Sequence, residues 1–430
     1  MTKRGEDLSQ KRVVWASSIV MFAVFMVLLT SCGKEDSGDK SRGLEQRLQK
    51  LRSVPYTAVS EEKVSGDTVG VTVYDAERAW PGYNLYCSRI DPEAFLIDMQ
   101  GNVVHRWSYE QDAFNYWNYA ILLENGDIIV LNKFLYILQI DWDSNLRWEE
   151  RRPVHHDVAK AEDGTIYVIE RRIEKYRDLD VRFAEIAQLG PEGGEIDRWS
   201  TYDELDDLRQ ALDETSFLDT VLDSLLAEGI PADSIHRIAG KIHIERVSPQ
   251  VRLYDYFHLN TITILPDRPP GRSDPRFAAG NLLICLRNVN QIAVLDWGSK
   301  KILWGWGEGV LEWPHHPTML ENGNILIFDN GVVRKYSKVI ELDPLTETVV
   351  WEYVADPPGR FYTHGKGSAQ RLPNGNTLIC EGDRGRVFEV DPGGEIVWEW
   401  YSPINKNGQR ILVYRMIRYP PRMVEPLLER

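Results

Sequence analysis

The chain has 430 residues, of which 43% are hydrophobic, so it is long enough to bury a sizeable core. Its 65 acidic residues outnumber its 50 basic ones, which gives a formal net charge of −15. A surface this acidic releases few counterions from phosphates, so nucleic-acid binding is excluded as its main function, and an anionic substrate needs a local positive site.

The first 31 residues have the pattern of a bacterial signal peptide. Basic residues precede an apolar run of 17 residues from Val13 to Leu29, and small residues follow it. The run leads into Leu-Thr-Ser-Cys ending at Cys32, which is similar to the lipobox of bacterial lipoproteins, in which the cysteine carries lipid. The alternative is a plain transmembrane anchor. Both predict an extracytoplasmic, membrane-tethered protein, and by resemblance to lipoprotein sorting Gly33 favours the outer membrane.

The rest of the chain divides into a linker and one large domain. Residues 32–66 are polar and charged, which predicts a linker after the lipidated cysteine. Residues 67–430 are predicted to form a single domain.

From residue 67 onward, the chain repeats one pattern six times. Each unit has an apolar strand, a turn rich in acidic, Gly or Asn residues, and a strand that ends in Trp. The endings are Trp107, Trp148, Trp199, Trp304, Trp351 and Trp398. They are 41 to 51 residues apart, except for one gap of 105.

A second hairpin precedes most of the Trp endings. Its Asn-Gly or Asp-Gly dipeptide supplies the positive φ angles of a two-residue turn. Each unit therefore offers four antiparallel strands, and six such units predict an all-β fold, a six-bladed β-propeller. A β-sandwich is the alternative, but it does not predict such regular Trp spacing. In a propeller, the Trp residues pack between neighbouring sheets.

The long gap between the third and fourth Trp endings contains an insertion at residues 201–250. Between Tyr202 and Gly229, leucines recur at helical spacing. This predicts a helical insertion between blades three and four. The insertion would cap one face of the ring or contact a partner. The alternative is that it only makes the surface more soluble.

Three cysteines remain after Cys32, namely Cys87, Cys285 and Cys380. Cys285 and Cys380 occupy the same place in two repeats, so a disulfide between them would have to cross blades. Buried thiols are therefore predicted.

Three histidines occupy matching positions where innermost strands begin. His156 and His316 stand seven and six residues before their hairpin turns, and His258 begins the corresponding strand of blade four. Asn118 and Ser368 hold the matching positions in blades two and six. Because innermost strands line the central channel of a propeller, we expect the three histidines to meet there.

Clustered imidazoles serve as metal ligands or as acid, base and nucleophile. Asp157 and Asp329 would supply the carboxylate of a metal site. Arg287, one strand beyond His258, would repel a metal cation, whereas its guanidinium suits an oxyanion. A metal-dependent hydrolase or lyase therefore stays an alternative, as does a tethered binding propeller without catalytic activity.

The His and Arg motifs together resemble the bacterial arylsulfate sulfotransferases, over residues 69–420. The matching stretches are His155-His156-Asp157, His258-Leu259-Asn260-Thr261, Arg287-Asn288, His315-His316-Pro317, residues 328–331 and 370–377, and the entry stretch 74–107. The resemblance implies a six-bladed propeller that moves a sulfuryl group from a phenolic sulfate ester to a phenolic acceptor without a nucleotide donor. No metal and no cofactor are predicted.

The resemblance also implies roles for individual residues. His316 matches the transiently sulfurylated nucleophile, and Arg287, His258 and His156 match the residues around it. A neutral imidazole can attack sulfur, and the charged sulfo-imidazole is a good donor to the next phenol. The residues predicted to bind substrate are Asn118, Asn260 and Ser368.

Three assignments stay open at this point. His155 and His315 adjoin two candidates, so a shift of one residue is an alternative. Either His258 or His156 would transfer the proton. His364 either reaches the site or sits on a loop, and the loop is favoured.

Overall fold

The computed structural model describes residues 59–63, 68–109, 116–176, 179–212, 244–246 and 252–430. The predicted signal peptide, Cys32 and most of the predicted linker lie outside these residues. So do residues 213–243 and 247–250 of the predicted insertion. Residues 57–430 form one compact unit.

The described residues form thirty strands. In chain order they are β1 (Val59–Lys63), β2 (Gly70–Tyr74), β3 (Tyr83–Cys87), β4 (Glu93–Ile97), β5 (Val103–Ser108), β6 (Tyr119–Leu122), β7 (Ile128–Asn132), β8 (Tyr136–Ile140), β9 (Leu146–Glu150), β10 (Val154–Lys160), β11 (Ile166–Tyr176), β12 (Leu179–Leu189), β13 (Glu195–Ser200), β14 (Ile244–Arg246), β15 (Arg252–Asp255), β16 (Leu259–Ile264), β17 (Leu282–Leu286), β18 (Gln291–Asp296), β19 (Lys301–Trp306), β20 (Pro314–Met319), β21 (Ile325–Asp329), β22 (Lys338–Asp343), β23 (Thr348–Tyr353), β24 (Ser368–Arg371), β25 (Thr377–Glu381), β26 (Arg386–Val390), β27 (Ile396–Tyr401), β28 (Asn405–Lys406), β29 (Gln409–Ile411) and β30 (Ile417–Tyr419). The α-helices are Leu205–Ala211, Pro269–Ser273 and Pro421–Leu428, and short 3₁₀ segments cover Pro275–Phe277, Arg287–Val289, Pro358–Arg360 and Gly382–Arg384.

Six sheets of at least four strands form the blades of a β-propeller, as predicted. Blade one is β30-β3-β4-β5, blade two is β6 to β9, blade four is β16 to β19 and blade five is β20 to β23. Blade three is β10 to β13 with β15 and β14 added, and blade six is β24 to β27 with β2 added. A separate small sheet joins β1 to β29 and β28, so β1 pairs with the domain although it lies within the stretch predicted as linker.

Both ends of the domain close the ring. The C-terminal strand β30 is the innermost strand of blade one and places Ile417 opposite Leu85 of β3. Strand β2, the second strand in the chain, is the outermost strand of blade six and pairs with β27. Blades six and one are therefore each built from both ends of the domain.

The core lies between the blades. The second strands β7, β17, β21 and β25 are buried along their whole length, because neighbouring sheets cover both faces. Of the repeated tryptophans, Trp107, Trp199, Trp304 and Trp398 are buried. Trp148 and Trp351 are half-buried and pack against the interblade clusters. The tryptophans therefore have the packing role predicted for them.

The predicted insertion begins with the helix Leu205–Ala211, whose Leu205 and Leu208 are buried in the cluster between blades three and four. Strand β15 then joins blade three in parallel with β12. No helix in the described part of the chain is long and apolar enough to cross a membrane. Cys87, Cys285 and Cys380 are free and buried, as predicted.

Candidate active site

The three predicted histidines share an unusual backbone conformation. His156, His258 and His316 have φ angles of 63°, 50° and 48°, a region that side-chain-bearing residues rarely adopt. The nearby irregularities in strand pairing fall between Val154 and Val158, Leu259 and Thr261, and His315 and Thr318. Such bulges re-aim side chains and are frequent beside active sites. The three positions are therefore structurally equivalent, as the register of the repeats predicts.

Two of the histidines are in direct contact. The ring centroids of His156 and His258 are 4.7 Å apart, with the rings edge to face. His316 is connected to blade four through its backbone, because its N–H donates to Oγ1 of Thr261 over 3.0 Å. The structure thus groups residues from three consecutive blades.

Asp255 orients His258. A carboxylate oxygen of Asp255 bonds Nδ1 of His258, and the same oxygen lies 3.3 Å from Nη1 of Arg182. The carboxylate therefore accepts a hydrogen bond from Nδ1–H of His258, and the lone pair of the ring is on Nε2. That Nε2 is buried and has no hydrogen-bond partner among the described residues. Burial, and then the charge of Arg287, lower the pKa of His258 well below its usual value, so this imidazole is neutral.

His316 is the histidine at the end of a cavity. Its Nδ1 donates to the carbonyl oxygen of Ala369 over 3.0 Å, which leaves the lone pair on Nε2. The residue lines a cavity of about 840 Å³. Burial lowers the pKa of His316 well below its usual value, and the charge of Arg415 lowers it further. The ring is therefore neutral and has one unprotonated nitrogen.

Tyr414 holds His156 in the opposite tautomer. The two are joined by a hydrogen bond of 3.1 Å between the Tyr414 hydroxyl and Nδ1. The phenol has no other acceptor in the described part of the chain, so it donates, and Nε2 of His156 carries the proton. Burial lowers the pKa of His156 well below its usual value. His156 is therefore a neutral donor whose Nε2–H is buried without a partner among the described residues.

Arg287 lies beside these rings. It is only 4% exposed, its backbone N–H donates to the His258 carbonyl oxygen, and its guanidinium stacks 4.3 Å from the Trp313 ring centre. Nε and Nη2 donate to Oδ1 of Asn288 over 3.1 and 3.0 Å. His364 lies on a loop, as predicted, but its ring also contacts Trp313 at 5.0 Å. A buried guanidinium with an aromatic support is thus fixed at the site.

Two of the residues predicted to bind substrate are engaged within the protein. Nδ2 of Asn260 donates to the carbonyl oxygen of Pro314 over 2.9 Å, which ties blade four to the strand that carries His316. Oδ1 of Asn118 accepts from Arg89. Ser368 is buried at the start of β24, one residue before the carbonyl that orients His316. Of these three side chains, Asn260 therefore joins two strands of the site.

The tandem neighbours differ from the candidates in conformation. His155 and His315 are buried, and neither has the left-handed φ. Nδ1 of His315 bonds Oδ1 of Asn330 over 2.7 Å. Backbone equivalence therefore favours His156 and His316 over their neighbours.

Sequence reasoning missed three residues of the site. Asp255 stands three residues before His258, a spacing that offers a weak signal for a supporting carboxylate. Tyr414 and Arg415 lie outside the repeat pattern and reach the channel only because the C-terminal segment closes the ring. Arg415 donates to Asp157 over 2.8 and 3.3 Å.

Carboxylates considered for a metal site are already paired. Asp157 is bonded to Arg415, and Asp329 lies 2.8 Å from Arg334. Across the described ranges, no group of three or more His, Cys, Asp or Glu residues is arranged to hold a metal ion.

Comparison with known proteins gave two kinds of match. Among solved structures, a protein of unknown function from Bacteroides caccae is 13% identical, with 79% of this chain and 99% of that chain covered and a TM-score of 0.47. A streptogramin B lyase is 10% identical, with 83% and 96% covered and a TM-score of 0.44. No curated protein matches the sequence. The family model described as "Arylsulfotransferase (ASST)" matches residues 120–403.

Proposed function

The chain belongs to the arylsulfotransferase family, whose model covers more than half of it, and we propose that it transfers a sulfuryl group from a phenolic sulfate ester to a phenol by a ping-pong mechanism through sulfo-His316. The observation that carries the proposal is the bond from Nδ1 of His316 to the Ala369 carbonyl oxygen. It leaves a neutral Nε2 lone pair at the end of the cavity, which is what a nucleophile for sulfur requires.

In the donor half-reaction, Nε2 of His316 attacks the sulfur of the aryl sulfate. The N–S bond forms as the S–O bond breaks, and the bonding electron pair leaves with the aryl oxygen. Nδ1 keeps its proton, so the sulfo-imidazole ring is positively charged, and the Ala369 carbonyl oxygen stabilises that charge. A donor whose phenol is a good leaving group departs as the phenolate, without taking up a proton.

In the acceptor half-reaction, the phenol oxygen attacks the same sulfur. The O–S bond forms, the S–N bond breaks, and its electron pair returns to Nε2 of His316. Nε2 of His258 takes the phenol proton, and Asp255 stabilises the imidazolium that results. The carboxylate bond to Nδ1 is what supports the choice of His258 as the base.

Two groups would hold the sulfuryl oxygens. The guanidinium of Arg287 supplies fixed positive charge, and Nε2–H of His156 supplies a neutral donor whose tautomer is set by Tyr414. Both are buried, where such donors stabilise developing charge more strongly than in water.

The test uses 4-nitrophenyl sulfate with and without phenol. We expect about one equivalent of nitrophenol per enzyme without acceptor, and continuous release when phenol is added. His316→Ala should abolish both. His105→Ala is the control. His105 lies in β5, the outermost strand of blade one, away from the channel, and its ring stacks on Trp142. Continuous release without acceptor, or full activity of His316→Ala, would overturn the proposal.

A further inference from the structure

A second buried arginine, Arg89, stands across the channel from Arg287. Arg89 comes two residues after β3, the second strand of blade one, and Arg287 comes directly after β17, the second strand of blade four. Blades one and four are three blades apart in a ring of six, so the two arginines lie on opposite sides of the channel. Arg89 is 8% exposed. The side of the channel opposite Arg287 therefore also carries a fixed positive charge.

A chain of contacts joins Arg89 to the histidines of the proposed reaction. Its Nη1 donates to Oδ1 of Asn118, which holds in blade two the register position that His156 holds in blade three. Its guanidinium lies 5.9 Å from the ring centre of Tyr414, whose hydroxyl bonds Nδ1 of His156 over 3.1 Å. His156 in turn contacts His258. Arg89 therefore borders the same channel as the reacting groups.

The Arg89 guanidinium has no carboxylate partner among the residues that the structure describes. Nη1 is bonded to the neutral amide of Asn118, and Nε is buried without a hydrogen-bond partner in those residues. Three other buried arginines are each paired with a carboxylate, namely Arg182 with Asp255, Arg415 with Asp157 and Arg418 with Glu389. An arginine stays charged, and a buried charge without a counterion is unfavourable. The Nε side of Arg89 is therefore suited to an anionic ligand.

The backbone of Arg89 is also strained. Its φ is 62°, the left-handed region that His156 occupies with 63°. Residues held in such conformations cluster at active sites and ligand clamps, where the surrounding structure enforces them. Strain and an uncompensated charge thus coincide at one residue of the channel.

We propose that Arg89 is a specificity-determining residue that binds a carboxylate carried by the phenolic substrate, at the end away from the reacting oxygen; this rests on the proposed sulfuryl transfer. A substrate whose sulfuryl group is held by Arg287 spans the channel, and the carboxylate at its far end meets Nε of Arg89. A guanidinium binds a carboxylate through charge-assisted hydrogen bonds. A neutral phenol leaves Arg89 without a counterion and is bound more weakly.

The first test measures binding without any reaction. The probes are 3-(4-hydroxyphenyl)propanoate and its neutral amide, which have nearly the same shape, titrated calorimetrically without a sulfate donor. Wild type should bind the acid at least about tenfold more tightly than the amide, as expected for hydrogen bonds to a charged group. Arg89→Met should bind the acid no more tightly than the amide and should bind the amide as wild type does.

A second variant, Asn118→Asp, supplies a carboxylate to Arg89 from within the protein. The new aspartate pairs with the guanidinium through the oxygen that the amide already uses, so the acid should lose its advantage although Arg89 is present. This variant also serves if Arg89→Met does not fold. The proposal is overturned if wild type does not prefer the acid, or if the preference survives in either variant, because the carboxylate then binds elsewhere. Equal weakening of acid and amide overturns it too, since Arg89 then acts only on the structure.

Lys300→Met is the matched control. Lys300 is likewise a cation with a left-handed φ, of 63°, but it lies in the outer turn between β18 and β19 and pairs with Asp197. The variant removes one positive charge, as Arg89→Met does, so the net charge of the two proteins is the same. It should keep the wild-type preference for the acid, and thermal melts should show that every variant is folded. Loss of the preference in Lys300→Met would assign it to net charge and overturn the proposal.

The second test measures acceptor preference during sulfuryl transfer from 4-nitrophenyl sulfate. Wild type should use the acid with a higher kcat/KM than the amide, and Arg89→Met should remove the difference. If transfer proceeds but Arg89→Met changes neither binding nor preference, the inference about Arg89 fails alone. If the acid binds in an Arg89-dependent way but no transfer occurs, the carboxylate site stands and the reaction proposal fails.

Discussion

At the scale of single residues, the partner of Nδ1 decides what each channel histidine can do. Ala369 and Asp255 accept from His316 and His258, so both rings present a lone pair on Nε2. Tyr414 donates to His156, so that ring presents an N–H. In the proposed reaction, three rings of one residue type thus serve as a nucleophile, a base and a hydrogen-bond donor, and each assignment can be tested separately.

Asp255→Asn should impair the acceptor half-reaction selectively. The amide cannot hold Nδ1–H and stabilise the imidazolium as the carboxylate does, so transfer to phenol should slow by part of the roughly 10²–10⁴-fold that a general base contributes. The nitrophenol burst should keep its rate, because nitrophenolate leaves without a proton. Stopped-flow measurement of the two half-reactions checks this, with Asp296→Asn in an outer turn of blade four as the control. An equal loss in both steps contradicts the assignment of His258.

The donor half-reaction should not depend on pH near the usual titration of histidine. An imidazole is nucleophilic only above its pKa, and burial and Arg415 lower the pKa of His316 well below 6.5. The burst rate with 4-nitrophenyl sulfate should therefore stay constant from about pH 8 down to about pH 5.5. A burst that falls with a midpoint at about 6.5 would show an ordinary imidazole, contrary to this account.

Repeat register identified the three histidines because His156 and His316 stand seven and six residues before turns that the sequence marks with Gly, and His258 begins the corresponding strand of blade four. Their tautomers were not predictable. Asp255 belongs to an inserted strand, and Tyr414 and Arg415 belong to the C-terminal segment, so none of them carries a repeat signal. Asn118 and Asn260 were predicted as substrate ligands, and the structure has their amides bonded to Arg89 and Pro314.

At the scale of elements, each hairpin turn ends an innermost strand and so fixes how far the turn lies from the start of that strand in the channel. Gly323 and Gly375 hold the same turn position in blades five and six, with φ of 89° and 92°. Their surroundings differ. A Cβ at Gly323 would lie 2.2 Å from Cδ of Pro270, whereas at Gly375 the nearest atom is 3.7 Å away, on Pro392.

Gly323→Ala should therefore cost more than Gly375→Ala. Each substitution lowers the free energy of unfolding by about 1–2 kcal/mol, because the alanine is held in a left-handed conformation. The first must also displace the helix Pro269–Ser273, which adds roughly 1–3 kcal/mol of overpacking. Urea unfolding of the two variants gives the difference directly. Equal free energies of unfolding would mean that the helix moves away at little cost.

The strands and turns of the blades could be predicted because hydrophobic period and Asn-Gly or Asp-Gly dipeptides are local signals. The bulges at His156, His258 and His316 could not be predicted from the sequence. These residues are held in a left-handed conformation by their neighbours, and no glycine marks their positions. At His316 the bond to Thr261 and the tie from Asn260 to Pro314 contribute to that constraint.

At the scale of the whole molecule, one buried arginine links the first and last blades. Arg418 of β30 is 1% exposed, bonds Glu389 of blade six, and donates to Oδ1 of Asn84 in blade one over 2.8 Å. The charged pair of Arg418 and Glu389 thus lies between blades one and six, where the ring closes.

Arg418→Met should lower the free energy of unfolding by about 3–5 kcal/mol, because it leaves the buried carboxylate of Glu389 without its charge partner. The double variant with Glu389→Met should recover part of that loss. The control is Arg78→Met, whose pair with Glu395 is exposed and screened by solvent, so its loss should leave the free energy of unfolding nearly unchanged. Denaturant unfolding compares the four proteins. A double variant less stable than Arg418→Met would show that Glu389 acts mainly through its other contacts.

The arrangement of the two ends also has a mechanical consequence. Strand β2 lies on the outer edge of blade six and is bonded to β27 alone, whereas β30 lies innermost in blade one. A load applied at the N-terminal end therefore detaches β1 from β29 and then the edge strand β2, and the ring stays shut because its inner closure is not on the path of the force. In an optical-trap experiment, extension should show a small early release of chain before the main rupture. The proposed sulfuryl-transfer site would keep its shape while the N-terminal end is pulled.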